Sequence, residues 1–312
     1  MQNTRGKINR RVRKPMPGPS LASVLRRRLD IVRAEILRCS PNPEDGMIHD
    51  LRVAIRRSGE VIRIMQQANL MNKQKVQRVM RVFRKVRRFA GDIRDLDVER
   101  DYLAKSKLPP IDPAAAQIIL TSVVARRQKL STKLHIMLKR AHSEKTFPPL
   151  MRTLENAKFE ADEGMLKKEL FRRIQKNAQK LADSCDLALQ KRTPALIHQA
   201  RIAGKRLRYA FELAHEARLA DYVQRISELK RFQKIAGNLH DVEFIFENLS
   251  EYTDTRNAVM TKQPGQDNQP QSSWDKKIHG RITQFHSKAL VELKRIKQLA
   301  SEAISGHTKI SK

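Results

Sequence analysis

The chain carries one short basic pattern twice. It reads His49-Asp50-Leu51-Arg52-Val53-Ala54-Ile55-Arg56-Arg57, and again His198-Gln199-Ala200-Arg201-Ile202-Ala203-Gly204-Lys205-Arg206. A second echo follows each copy: Gly91-Asp92-Ile93-Arg94-Asp95-Leu96-Asp97, then Gly237-Asn238-Leu239-His240-Asp241-Val242-Glu243. The offset is 149 residues at the first pattern (49 to 198) and 146 at the second (91 to 237), so three residues of loop absorb the difference. Self-similarity at a near-constant period constrains the whole architecture, because each copy has to solve the same folding problem. The order of segments predicts an internal duplication of one helical unit.

The periodicity inside both copies is helical. Ser20 is placed to cap a helix reaching about Leu37, which Ser40-Pro41-Asn42-Pro43 breaks with turn chemistry. The first pattern helix covers about Met47 to Ala68, and a third runs from Lys73 to Ala90. Gly91 is expected to end that helix, being the residue type that favours a left-handed C-terminal cap, with a new helix opening near Arg94. Pro109-Pro110-Ile111-Asp112-Pro113 precedes a long helix from Ala114 to about Ala141, and Phe147-Pro148-Pro149 separates the halves. The second half repeats the order with Lys167–Leu189, a break at Thr193-Pro194, Ala195–His215, and Asp221–Ala236 ending at Gly237. The polar stretch Thr261 to Ser273 reads as a linker before a final amphipathic helix over about Trp274 to Ile304. Strand alternation and hairpin turns are nearly absent. The predicted fold is all-α: two antiparallel helical bundles packed together, over 20–145 and 150–305, behind a disordered basic arm over 1–19.

Charge narrows the function. With 64 Lys and Arg against 33 Asp and Glu, the formal net charge is +31, which calls for a polyanionic partner. Both halves are basic: residues 1–150 hold 34 basic and 13 acidic groups, and residues 151–312 hold 30 and 20. An ordinary solvated surface mixes both signs, whereas Val61 to Gly91 carries nine basic residues and no acidic one. Cys39 and Cys185 are the only cysteines, and their spacing suggests neither a zinc site nor a disulfide framework, so no metal or cofactor is expected and a reducing cytoplasm fits best. Pro15-Met16-Pro17-Gly18-Pro19, after the basic N-terminus, cannot serve as the apolar region of a signal peptide. No stretch approaches the ~18 apolar residues of a membrane span, so no membrane partner is expected.

On a helix, positions i, i+3 and i+7 share a face, which aligns His49, Arg52 and Arg56, with Arg63 further along. The apolar row Ile48, Leu51, Ile55, Ile62 and Met65 lies one residue away, roughly 100° around the helix. The second copy sets His198, Arg201, Lys205 and Arg208 beside Ile197, Ala200, Gly204, Leu207 and Phe211, with Gly204 allowing a neighbouring helix to come close. Arg57 and Arg206 adjoin these rows. Cations at the margin of a helix interface line a groove, where low-dielectric walls strengthen each contact with a phosphate. A further row, Arg81, Arg84, Lys85 and Arg88, joined by Arg78 and Arg87, has its echo in Lys230, Arg231 and Lys234. One cation per turn, ~5.4 Å apart, suits a linear polyphosphate better than a single phosphate. Arginine adds bidentate geometry to phosphate oxygens.

The four patterns, in this order, resemble the CHAD domain, the conserved histidine α-helical domain, over about Ser20 to Ile304. The run Arg201-Ile202-Ala203-Gly204-Lys205-Arg206-Leu207-Arg208-Tyr209 is the most specific part. The resemblance implies a pair of helical bundles around a basic pore that binds inorganic polyphosphate, often in a protein of polyphosphate granules, and it does not imply catalysis. In relatives where this domain is fused to a triphosphate-tunnel (CYTH) domain, the enzymatic part is the other domain, and no such β-rich segment occurs here. Lys205 and His240 stand where the first half has Arg56 and Arg94, so the two halves are expected to differ in affinity.

Several residues carry two readings. His49 and His198, near the starts of their helices, can hydrogen-bond a phosphate or merely order the helix start through a neighbouring Asp. Asp92, Asp95 and Asp97 could ligate magnesium for a polyphosphate or triphosphate hydrolase, but a role in capping a helix and orienting basic side chains is preferred, since no partnered nucleophile is visible. Arg126, Arg127, Lys129, Lys133, Lys139 and Arg140 read as solvated surface or an outer docking patch. Nucleic acid is the second candidate partner. Aromatics make up only 5% of the chain, with four Tyr and one Trp, which leaves few platforms for base stacking.

Overall fold

The structure is a computed structural model and describes residues 19–40, 43–105, 113–142, 163–260 and 273–308. All the regular structure among these residues is α-helix: α1 (Leu21–Cys39), α2 (Asp45–Gln67), α3 (Lys73–Lys105), α4 (Pro113–His142), α5 (Glu163–Lys191), α6 (Pro194–Glu216), α7 (Val223–Met260) and α8 (Ser273–Thr308). The expected linker over 261–272, residues 1–18 of the arm and the Phe147-Pro148-Pro149 break lie outside the described residues.

Helices α1 to α4 pack in a cycle, each against the next, with α4 returning to α1; α5 to α8 do the same. The two groups meet through α1 and α2 against α5 and α6, and through α3 against α7. Apolar residues of all eight helices meet in one main core, from Leu25 and Ile36 on α1 through Phe211 on α6 and Phe232 on α7 to Leu293 on α8, with smaller clusters around Ile245 and Ile278 and around Leu96 and Val123. A buried row such as Ile48, Leu51, Ile55, Ile62 and Met65 on α2 occupies one face only, which leaves the adjoining positions for cations.

Local chemistry sets the helix ends. Ser20 starts α1 as the sequence suggests, its hydroxyl accepting the Ser23 N–H at 3.2 Å. The next donors are met from far away, because Leu21 and Ala22 N–H donate to the Glu163 carboxylate at 2.9 and 3.2 Å. The exits of α2 and α6 match bond for bond: Asn69 and Arg218 take left-handed conformations at φ 57° and 53°. Leu70 N–H then reaches Met65 O, and Leu219 N–H reaches Ala214 O, both at 2.9 Å. The following helices start alike, with Asn72 Oδ1 accepting Gln74 N–H at 2.8 Å and Asp221 Oδ1 accepting Val223 N–H at 3.0 Å.

Two expected helix ends are corrected. Helix α3 runs through Gly91 and α7 runs through Gly237 without a break. A glycine inside a helix costs about 1 kcal/mol relative to alanine, which the flanking apolar contacts of Ala90, Ile93, Ala236 and Leu239 outweigh. It follows that Asp92, Asp95 and Asp97 are mid-helix residues and cap nothing.

Buried ion pairs tie the two groups together. Arg173 on α5 donates twice to Glu60 on α2, at 2.9 and 2.6 Å. In the opposite direction Arg28 on α1 pairs with Glu216 on α6, and Arg57 on α2 donates to Glu212 on α6 at 3.0 Å. Among the described residues no helix is long and apolar enough to cross a membrane.

Candidate functional site

Where α2 and α6 approach each other, the two repeated patterns bring four cations together. Lys205 is acted on most strongly by Arg201, Arg56, Arg52 and Arg208. Burial is the larger influence, and with those charges it pulls the ammonium from its usual range down to about 6. Arg52 is held down to about 10 by burial first, then by Arg56, with Arg94 and Arg201 adding to it and Asp95 opposing. Arg201 is lowered for the same first reason, with Asp241 and Asp95 opposing and Arg56 reinforcing. Residues 149 positions apart in sequence thus share one electrostatic environment.

The surroundings fix these side chains. Arg201 Nε donates to Gln233 O on α7 at 3.3 Å, and its guanidinium lies directly over Gly237. A Cβ there would stand 3.2 Å from Arg201 Nη2, so Gly237 provides the space this side chain occupies. Gly91 has no such neighbour within 4 Å. Asp95 on α3 faces Arg52 and His240 and lies near Asp241 of α7; burial raises its pKa. Asp95 acts electrostatically on Arg52 and Arg201, and Asp241 on Arg201. Among the described residues no three His, Cys, Asp or Glu side chains are placed to hold a metal ion.

The histidines differ. His49 is exposed; burial and then Asp50 and the cations Arg94, Arg52 and Arg56 set its pKa, with a net lowering. His198 is half-buried with its ring centroid 4.4 Å from that of His240. Burial, followed by His240, Arg201 and Lys205, pulls it down to about 4. His198 Nδ1 and Arg52 Nε are buried without a hydrogen-bond partner.

The remaining sequence candidates divide. Arg87 extends the cluster, its guanidinium lowered by burial and then by Arg56, Arg206 and Arg84. Four others are engaged by carboxylates: Arg57 and Arg208 with Glu212, Arg63 with Glu60, and Arg231 with Glu292. Arg208 also lies 4.9 Å from the centroid of the Tyr209 ring. Arg78, Arg81, Arg84, Lys85 and Arg88 line the exposed side of α3, and Lys230 and Lys234 that of α7. Arg127 is not surface decoration, since it donates to the fully buried Asp97 at 2.7 Å. Arg94 and His240 stood outside the cationic rows read from the sequence, yet both face the cluster, and their place in the glycine echo was the signal for them.

Fold and site together define an all-helical protein that gathers cations where two cycles of four helices meet. The chain belongs to the CHAD domain family, whose model matches residues 23–245. Its fold is similar to the crystal structure of the CHAD domain from the plant Ricinus communis, with a TM-score of 0.57 at 17% identity, covering 91% of this chain and 93% of that one. No curated protein matches the sequence.

Proposed function

We propose that the protein binds inorganic polyphosphate along a basic groove between α2 and α6, flanked by α3 and α7, and that it does so without catalysis. The observation that carries this reading is the half-buried cluster of Arg52, Arg56, Arg201 and Lys205, whose members repel one another and, among the described residues, form no ion pair, Asp95 and Asp241 opposing the repulsion only in part. Such an array is unfavourable until an anion with many charges occupies it. The matching exits of α2 and α6 and the matching starts of α3 and α7 support an internal duplication, which would place the two patterns on either side of one ligand.

Polyphosphate is preferred over nucleic acid because Tyr209, the aromatic ring beside the cluster, is buried beneath Arg208 and offers no face to a base. Association with polyphosphate granules in the cytoplasm is the cellular role that fits such a binder. Replacing Arg52, Arg56, Arg201 and Lys205 together by Gln is expected to remove most polyphosphate affinity at fixed salt while helicity stays intact. Full retention of binding would overturn the site, and displacement of polyphosphate by RNA at equal phosphate concentration would reverse the order of ligands. Phosphate release that needs magnesium or manganese and is lost on substituting Asp95 and Asp241 would overturn the non-catalytic reading.

A further inference from the structure

A cavity of about 350 Å³ opens between α2, α5 and α6, next to the groove. Arg63 and Gln67 of α2, Lys176, Asn177 and Lys180 of α5 and Arg206 of α6 line it. No row of the repeated patterns points to α5, so the two lysines were invisible to that reasoning. At roughly 30 Å³ per water-sized group, the cavity admits about a dozen heavy groups, near the size of a tripolyphosphate.

Its floor is ion-paired and its charge is unbalanced. Glu60, 2% exposed, accepts from Arg63 at 3.0 Å and from Arg173, which also lines the cavity. That single carboxylate leaves Lys176, Lys180 and Arg206 without an ion pair among the described residues. Asn177 makes only long contacts, 3.5 Å to Glu60 and 3.4 Å to Arg206 O, and Gln67 Oε1 is buried with no partner. Both amides can turn their donors toward an anion. The lining contains no aromatic ring, so nothing there would hold a base.

Cations lie between this cavity and the central cluster. Arg206 acts on Arg63 and on Arg87, and Arg87 is also acted on by Arg56 of the central cluster. A phosphate chain leaving the groove past Arg56 therefore meets Arg87, Arg206 and then the cavity. We propose that the cavity is a second phosphate subsite, taking a compact run of about three or four phosphate units, and that on a long chain it holds the terminus. The second clause rests on the groove reading; the first does not.

Calorimetric titration with tripolyphosphate separates the two. The wild-type protein is expected to bind two equivalents, while Lys176→Gln with Lys180→Gln, and Arg52→Gln with Arg201→Gln, each retain one. Both lysines are exposed, so helicity and melting temperature stay unchanged in the first variant. A single equivalent in the wild-type protein that survives loss of the lysines overturns the cavity and leaves the groove. A single equivalent that survives loss of the arginines and disappears with the lysines overturns the groove and leaves the cavity. Absence of binding throughout overturns both. For long chains, esterifying the terminal phosphates should weaken wild-type binding by about tenfold, equal to ~1.4 kcal/mol, and leave the lysine variant unaffected. Equal binding of blocked and free chains overturns the terminus assignment.

Discussion

Lys205 makes ligand binding and proton uptake one event. In the free protein, burial and then Arg201, Arg56, Arg52 and Arg208 lower its ammonium to about 6, so at pH 7 the side chain is about nine-tenths neutral. A phosphate seated beside it favours the protonated form. Binding at pH 7 should therefore take up about 0.9 proton at this residue, and about 0.5 at pH 6. The sign follows: affinity falls as pH rises above 6, by up to about tenfold per pH unit, until the pKa of the bound state is passed. Arginine stays charged throughout this range, so Lys205→Arg abolishes the uptake while keeping the positive charge. The assay is calorimetric titration of polyphosphate in buffers of different ionisation enthalpy, where the slope of observed heat counts protons. Terminal phosphates and the neighbouring His49 and His198 titrate too, so the wild-type slope minus the variant slope isolates Lys205. Equal slopes in the two proteins would refute the argument that this lysine is discharged in the empty groove.

Three further outcomes follow from the packing. Glu60→Gln leaves Arg173 buried without a counter-charge, which costs about 3 to 5 kcal/mol and should lower the melting temperature by roughly 6 to 10 °C; a loss under 2 °C would contradict it. Gly91→Ala meets nothing and should stabilise α3 by about 0.5 to 1 kcal/mol with polyphosphate affinity unchanged. Gly237→Ala presses on Arg201, so calorimetry should show weakened binding with the melting temperature maintained or raised.

Helix placement was largely legible because apolar residues at a period near 3.6 register only on a helix with one buried face; α2, expected over about Met47–Ala68, spans Asp45–Gln67. Gly237 misled because a C-terminal cap and a clearance for a crossing side chain leave the same letter, whereas nothing near Gly91 requires a glycine. Only the position of Arg201 over Gly237 distinguishes the two roles. In the site, the i, i+3, i+7 rule selected Arg52, Arg56, Arg201 and Lys205, which do share one environment. Arg57, adjoining the first row, and Arg231, in the echo of the α3 row, were singled out with them, yet their neutralising partners Glu212 and Glu292 lie 155 and 61 residues away. Helical spacing describes one helix at a time and contains nothing about which carboxylate arrives from another.

Glu163 closes the first turn of α1 from 141 and 142 residues downstream. Arg28 of that same helix waits for Glu216. During synthesis the Leu21 and Ala22 amides go without this acceptor until Glu163 is made, and the Arg28 guanidinium without its carboxylates until Glu212 and Glu216 are made. The amino-terminal half made alone should behave as a frayed, protease-sensitive intermediate. A gene split at the midpoint would give two fragments that fold only in each other's company.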